Sequence, residues 1–407
     1  MHEQNAHADA GLGDAGSSAA SDSAAAPHEA PPAARTLDVR FVGSGSEYFR
    51  IWIVNLLLTL VTVGLYYPFA KVRKLRYFHG ATEVGGHALG FHASPWVMLR
   101  GYLLVGAMVA VYSLASHFSA GAGLAAFAIV AALWPALWQS SLRFRLANTS
   151  WRGLRFRFTG RLRGAYQVML PWGLMAAALI GVSVALAPEP GRQPGPAAVV
   201  MGLLPLVLAL FTPALLWLLR RYQHDHYALG GEHTRFSTTM GSFYGVFGLA
   251  VLMFIGIVAV LGIGAAVLLP ALAGGQKPST GLGGAVVAAG VVFLLAYLIV
   301  LSLVGAFVGA RLQNLTWNGT RSAHLGFAST LAVAPLARLT LKNWLLIVLT
   351  IGLYLPFAAV AMARLRLEAV AVLASTDPDA LVAAASHPNE SAAGDAAGDL
   401  FGFDIGL

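Results

Sequence analysis

The chain has 407 residues, of which 57% are hydrophobic and only 11% charged, where an ordinary soluble domain carries roughly 25%. That composition excludes a soluble globular domain and points to a polytopic membrane protein. The net charge of +8 is not a nucleic-acid footprint, because the cations are distributed over alternate loops, and the absence of cysteine removes disulfides and thiol ligands.

Residues 1–40 are rich in Ala, Ser and Pro, lack the apolar core of a signal peptide and read as a disordered tail. Apolar blocks follow at 51–70, 98–116, 122–142, 167–187, 198–219, 242–270, 284–309 and 343–362. Each reaches or approaches the ~20 residues that a helix needs to cross hydrocarbon. From Ser375 the chain is Ala-rich and acidic. The expected organisation is a tail (1–40), a membrane domain with internal repeats (41–371) and a second flexible tail (372–407). Loops 117–121, 188–197 and 271–283 carry only Arg192 and Lys277, whereas the alternate loops carry eighteen cations, among them Lys71, Arg73, Lys74 and Arg76. This bias puts the longer loops on the cytoplasmic side, beside anionic phospholipid headgroups.

The chain repeats itself. Shifting residues 68–91 by 67 brings Pro68 onto Pro135, Arg76 onto Arg143, Gly86 onto Gly153 and Phe91 onto Phe158, and a shift of 145 finds Pro213, Arg221, Gly231 and Phe236. A fourth copy, "RLQNLTWNGTRSAHLGF", aligns Arg311 with these arginines and has no proline. In each copy an X-Gly pair (Gly85-Gly86, Arg152-Gly153, Gly230-Gly231, Asn318-Gly319) stands between β-favouring residues. That pattern predicts a two-residue hairpin turn. The expected fold class is therefore an all-α polytopic membrane protein of six to eight transmembrane helices, in repeated units, with four short cytoplasmic β-hairpins.

"GLYYPFAKVRKLR" (64–76) and "GLYLPFAAVAMAR" (352–364) share one frame near the two ends of the chain. Two readings stay open. Segments 46–78 and 341–366 either enter the membrane and return, breaking at Gly64 and Gly352, or each crosses once. Pro68 and Pro356, just beyond the glycines, suit the first turn of a new helix. Gly64, Pro68, Gly352 and Pro356 are thus candidate hinge residues. In both readings the termini share one side.

The stretch "FVGSGSEYFRIWIVNLLLTLVTVGLYYPFAKVRKLRYFHGATEVGGHALGFH" resembles the opening of the YjgN family of bacterial inner-membrane proteins, in its phenylalanine-glycine lead-in, Asn55, Gly64, Tyr66, basic patch, Arg76-Tyr77 and Gly86 turn. The likeness extends over about residues 41–370. It implies a multi-pass protein of the bacterial inner membrane and, the family being of unknown function, implies no reaction or ligand.

The apolar blocks contain no Asp or Glu, which weighs against proton-coupled transport. No nucleotide-binding or hydrolase signature is present, so no catalytic residue, cofactor or enzymatic activity is expected. Histidines gather in two aligned loops (His79, His87, His92; His224, His226, His233) without a metal-ligand spacing, and no metal site is expected. Arg76, Arg143, Arg221, Arg311 and Arg364 are the candidate contacts for lipid phosphate or another anion, with interface anchoring as their structural role. The expected function is transport or lipid and anion handling through a repeat-built helix bundle. Its partners are anionic membrane lipids and no nucleic acid. The alternative is a non-transporting scaffold of the cell envelope.

Overall fold

A computed structural model describes residues 35–185, 196–273 and 282–386, and in it one design recurs five times: an entering strand, two helices and an exit strand. The first module is β1 (Arg35–Phe41), α1 (Gly45–Val61), α2 (Tyr67–Gly80) and β2 (Thr82–Val84). The second is β3 (His87–Phe91), α3 (Pro95–Phe118), α4 (Ala120–Ala147) and β4 (Thr149–Trp151). The third is β5 (Leu154–Phe158), α5 (Leu162–Ala185), α6 (Pro196–His224) and β6 (Tyr227–Leu229), followed by the short β7 (Glu232–His233). The fourth is β8 (Arg235–Phe236), α7 (Met240–Ala273), α8 (Leu282–Asn318) and β9 (Thr320–Arg321). The fifth is β10 (Leu325–Ser329), α9 (Val333–Leu349), α10 (Leu355–Leu367) and β11 (Val370–Ala374), with α11 (Pro378–Ser386) after it.

One hydrogen bond identifies equivalent positions in all five modules. The N–H groups of Val42, His92, Thr159, Ser237 and Thr330 donate to the carbonyls of Ala81, Asn148, His226, Gly319 and Ala369 at 2.8–2.9 Å. Each bond ties the entry of a helical pair to its exit, so both helices rise from one base. Phe41, Phe91 and Phe158 precede the donors and are buried there. The fifth module seats the smaller Ser329 at that place, not Phe327.

The described residues are mostly helical, as expected, but their strands join in one sheet that the all-α expectation left out. Within every module the entering and exit strands pair antiparallel, and hairpins join β2 to β3, β4 to β5, β6 to β7 and β9 to β10. β11 then pairs back onto β1, Leu37 opposite Val372. The remaining ends of the order, β7 and β8, are consecutive pieces of one stretch interrupted at Thr234. Ten strand positions therefore surround a barrel. A lone hairpin is marginal, and the nearly closed ring leaves unpaired backbone only at the short β7–β8 seam. Closure also moves the domain boundaries: residues 35–40 lie in β1 and 372–374 in β11, where sequence composition suggested tails, while residues 1–34 and 387–407 fall outside the described residues.

The turns follow the sequence in part. Gly85-Gly86 (φ 56° and 78°) and Arg152-Gly153 (50° and 84°) take the left-handed pair of a two-residue hairpin. Asn318-Gly319 does not: Asn318 ends α8, and the fourth hairpin turns at 322–324, where Leu325 N–H donates to Ser322 Oγ at 3.0 Å.

Each helix packs on its chain neighbours and α10 returns against α1, which closes a helical ring on one end of the barrel. Among the described residues, α3, α4, α5, α7 and α8 each contain a stretch long and apolar enough to cross a membrane. α3, with 24 residues, spans about 36 Å. The first and last modules are shorter, with helices of 17 and 14 and of 17 and 13 residues. In both, the chain doubles back at the same turn. Gly64 N–H reaches Thr59 O at 2.7 Å and Gly352 N–H reaches Ile347 O at 2.8 Å, while Thr62 and Thr350 Oγ1 accept from Tyr66 and Tyr354 N–H at 2.9 and 3.0 Å. Gly64 and Gly352 take φ of 89° and 88°, a backbone that favours glycine, and Pro68 and Pro356 open the returning helices. The four candidate hinge residues thus meet in two matching turns.

Candidate functional site

The barrel encloses a chamber of about 360 Å³, within the range of small-molecule sites. Its wall is built from cross-strand pairs. Leu89 stands opposite Trp151, Phe156 opposite Leu229 and Phe327 opposite Val372, all lining the chamber. Directly opposed aromatic and aliphatic pairs of this kind stabilise a sheet by roughly 0.2–1 kcal/mol each. Leu146 of α4 and Trp317 of α8 line the end nearest the helices, with the Trp317 ring 5.0 Å from Phe327 and 5.6 Å from His224. Trp151 Nε1–H donates to Val84 O at 3.1 Å, which fixes the largest ring in the wall.

The few polar groups at the chamber have partners of their own. Thr320 Oγ1 donates to Thr316 O at 2.7 Å and lies 2.9 Å from His224 Nδ1. Glu232 accepts from Ser322 Oγ at 2.6 Å and from the His324 N–H at 3.1 Å, with His324 Nδ1 2.6 Å away. Burial pushes the Glu232 carboxyl upward, but the hydrogen bonds from Ser322 and His324 outweigh it and leave the pKa below the usual carboxylate value. Burial raises the pKa of Tyr227, whose phenol stays protonated. The lining is therefore apolar, with its one carboxylate engaged.

Beyond β11 the chain crosses the turn end of the barrel. Asp377 pairs with Arg35 at the start of β1 at 3.0 Å, and Asp379 pairs with Arg152 in the β4–β5 turn. In the ring of strands that turn lies about opposite β11, so the start of α11 is strapped across this mouth.

Three of the five candidate arginines make one repeated contact. Arg76, Arg143 and Arg364 donate from Nη2 to the carbonyls of Ala93, Gly160 and Gly43 at 2.8, 3.1 and 2.8 Å. Each carbonyl belongs to the entry of the next module, and the last bond joins the fifth module to the first. Arg221 is exposed, 3.6 Å from Asp225 and stacked 5.1 Å from the Trp217 ring. Arg311 lies over Phe307 at 5.8 Å and is out of register. The equivalent position, five residues before the helix-end carbonyl, is Asn314, whose Nδ2 donates to Leu331 O at 3.0 Å. A neutral residue thus does in the fourth module what arginine does in the first, second and fifth.

The loop histidines do not converge. His79 Nδ1 lies 2.8 Å from Leu75 O and His92 Nε2 lies 2.7 Å from Ser150 Oγ, and among the described residues no three His, Asp or Glu side chains come together. Within the helices, Thr59 Oγ1 donates to Asn55 O at 2.6 Å, a bond inside its own helix. The chamber itself escaped sequence reading. The signal available was the alternation of "RTLDVRF" and the β-branched "VAVLA", two runs at opposite ends of the chain that become neighbours only when the ring closes.

Fold and chamber together define a multi-pass helical membrane protein that carries a closed strand collar. The chain belongs to a family described as a bacterial protein of unknown function (DUF898), whose profile matches residues 36–400. It is similar to the inner membrane protein YjgN of Salmonella typhimurium strain LT2, 33% identical over 143 residues that cover 34% of this chain and 36% of the relative. The inner membrane proteins YjgN of Escherichia coli O157:H7 and of strain K12 are 29% identical over 134 and 129 residues, in each case 31% of this chain and 32% of theirs. The chain thus spans about a third of the length of the curated relatives it matches. No solved structure matches it. These relatives and the apolar helices make it a multi-pass protein of the inner membrane.

Proposed function

We propose that the protein handles lipid at the cytoplasmic face of the inner membrane, receiving an acyl chain in the barrel chamber. The observation that carries this reading is an apolar chamber of about 360 Å³, open enough to admit a guest and walled by side chains from nearly every strand of the barrel. In this reading α3 to α8 make six crossings, and the pairs α1/α2 and α9/α10 enter and return. Barrel and chain ends then share the cytoplasmic side. The excess of cations in the segments that carry the strands and adjoining helix ends supports that orientation and favours anionic phospholipids as neighbours. No catalytic step is required. A polar path lined by all five arginines is not favoured, because Arg76, Arg143 and Arg364 donate to backbone carbonyls. The scaffold reading, with the hairpins docking a protein partner, is less favoured for strand addition, since the ring leaves only the two-residue strands β7 and β8 with an open side.

The test is quenching of tryptophan fluorescence by phospholipids brominated near the chain terminus, in protein reconstituted into vesicles. Trp151 and Trp317 line the chamber. If a chain enters, wild-type protein loses more emission than Trp151→Phe/Trp317→Phe protein loses. Equal fractional quenching in both would mean that the chamber holds no lipid chain.

A further inference from the structure

Beside the barrel, between the start of α5 and the end of α6, lies an open groove of about 740 Å³ bordered by Arg161, Arg163, Gln167, Arg221, Tyr222, Asp225 and His226. We infer that this groove is a binding site for a phosphate ester anion, carried on the headgroup of an anionic membrane phospholipid.

The charges at the groove support an anion. Arg161, Arg163 and Arg221 are exposed, and the one carboxylate among them is already engaged. Asp225 Oδ1 accepts the Phe236 N–H at 2.6 Å, and Oδ2 lies 3.6 Å from Arg221 Nε. Three guanidiniums against one carboxylate leave two positive charges without a counterion among the described residues. His226 turns its Nδ1 to Tyr222 O at 2.7 Å within the α6 wall, and Tyr222 donates its hydroxyl to Arg161 O at 2.9 Å, which ties that wall to the start of α5. The positive end of the α5 dipole points to the same place. Guanidinium, with its fork of donors, suits a phosphate better than an ammonium does.

The five-module comparison shows that this charge serves no common structural purpose. The position of Arg161 is held by Ser44, Ser94, Thr239 and Ala332 in the other modules, and that of Arg163 by Ser46, Trp96, Gly241 and Ala334. Those modules keep the same base hydrogen bond without either arginine. Among the five modules, the third alone carries arginine at these two positions.

The surroundings indicate a lipid as the source of the phosphate. Leu162, Tyr166 and Leu170 follow one face of α5 away from the groove and are 46%, 39% and 60% exposed. A headgroup in the groove leaves its chains along that apolar stripe, where inorganic phosphate has nothing to contact. This site does not depend on a guest in the chamber.

The experiment is native mass spectrometry of the detergent-solubilised full-length chain titrated with phosphatidylglycerol, with phosphatidylcholine and with inorganic phosphate in separate arms. Wild-type protein should retain phosphatidylglycerol preferentially. Arg161→Gln/Arg163→Gln/Arg221→Gln should weaken that retention about tenfold or more, since cations at a membrane surface attract anionic lipid additively. The charge-matched control Arg155→Gln/Arg235→Gln/Arg321→Gln, at exposed strand positions, should retain wild-type binding. Equal losses in both triple variants, unchanged binding in the groove variant, or inorganic phosphate displacing the lipid at equal concentration would each overturn the proposal. A thermal unfolding midpoint for the groove variant within a few degrees of wild type guards against misfolding. Quenching at Trp151 and Trp317 is read separately, so failure of the groove leaves the chamber reading standing.

Discussion

Val63 and Ile351 carry φ of 50° and 51° just before the turn glycines, and they are 92% and 94% exposed. A β-branched residue in the left-handed region is strained, and the same strain at both ends of the chain marks a turn that the fold imposes. The glycines that follow relieve it, because a Cβ at φ near 90° is disfavoured whatever the space around it. Around Gly64 the space is open: a Cβ would come no nearer than 3.5 Å to the Tyr102 hydroxyl. Gly64→Ala and Gly352→Ala are therefore expected to cost about 1–2 kcal/mol each through backbone conformation alone. Gly106→Ala, in α3 with nothing within 4 Å of the added carbon, should be neutral or mildly stabilising. Thermal unfolding in detergent separates them, and a Gly64 variant as stable as the Gly106 variant would show that the turn does not need the left-handed conformation.

Proline shows how little one residue decides by itself. Pro68, Pro135, Pro213 and Pro356 occupy the same place eight residues before Arg76, Arg143, Arg221 and Arg364. In the first and last modules it opens a helix; in the second and third it lies inside a long one. The break comes instead from the glycine turn just upstream, which the middle modules lack.

At the scale of elements, the decisive pairing is β1 with β11, which joins residues more than three hundred positions apart. Without it the sheet would present two edges at the membrane surface, a template for aggregation. Leu37 and Val372 are directly opposed, and the chain has no cysteine to interfere. Leu37→Cys/Val372→Cys should therefore cross-link under mild oxidation and shift in non-reducing gels. Leu37→Cys/Leu373→Cys should not, because a slip of one residue turns the side chain to the other face. Cross-linking of both pairs with equal yield would mean the register is not fixed.

Phe41, Phe91 and Phe158 were legible as entry markers because one buried ring fills one repeated niche in the first three modules. The fourth and fifth modules hid the same geometry. Ser329 fills the niche in place of Phe327, and Asn314, not Arg311, makes the contact to the next module. Both misalignments share a cause: the fourth hairpin turns at 322–324, so matching letters no longer mean matching positions.

For the whole molecule, five modules in a ring require both ends of the barrel chain to meet, and β1 beside β11 is that meeting. If α1/α2 and α9/α10 enter and return, an even number of crossings follows and both ends lie on one face. Reporter fusions at residues 30 and 385 should then report the same compartment. Cysteines at 86 and 153 should be shielded from an impermeant reagent added outside spheroplasts, while one at 119, in the α3–α4 turn, is labelled. Fusions on opposite faces would mean that one terminal pair crosses the membrane.

From residue order alone came the membrane class and the long apolar helices, with Gly64-Pro68 and Gly352-Pro356 as candidate turns and the glycines at 86 and 153 as expected hairpin positions. These are local properties, set by hydropathy over ~20 residues and by the φ that a single position tolerates. Closure was a tertiary decision, because short strands gain stability only from partners in other modules, and neither composition nor period records which partner arrives. The chamber exists only inside that ring. Likewise, five arginines look alike in the sequence until the neighbouring module brings a carbonyl to three of them and leaves Arg221 at an open groove.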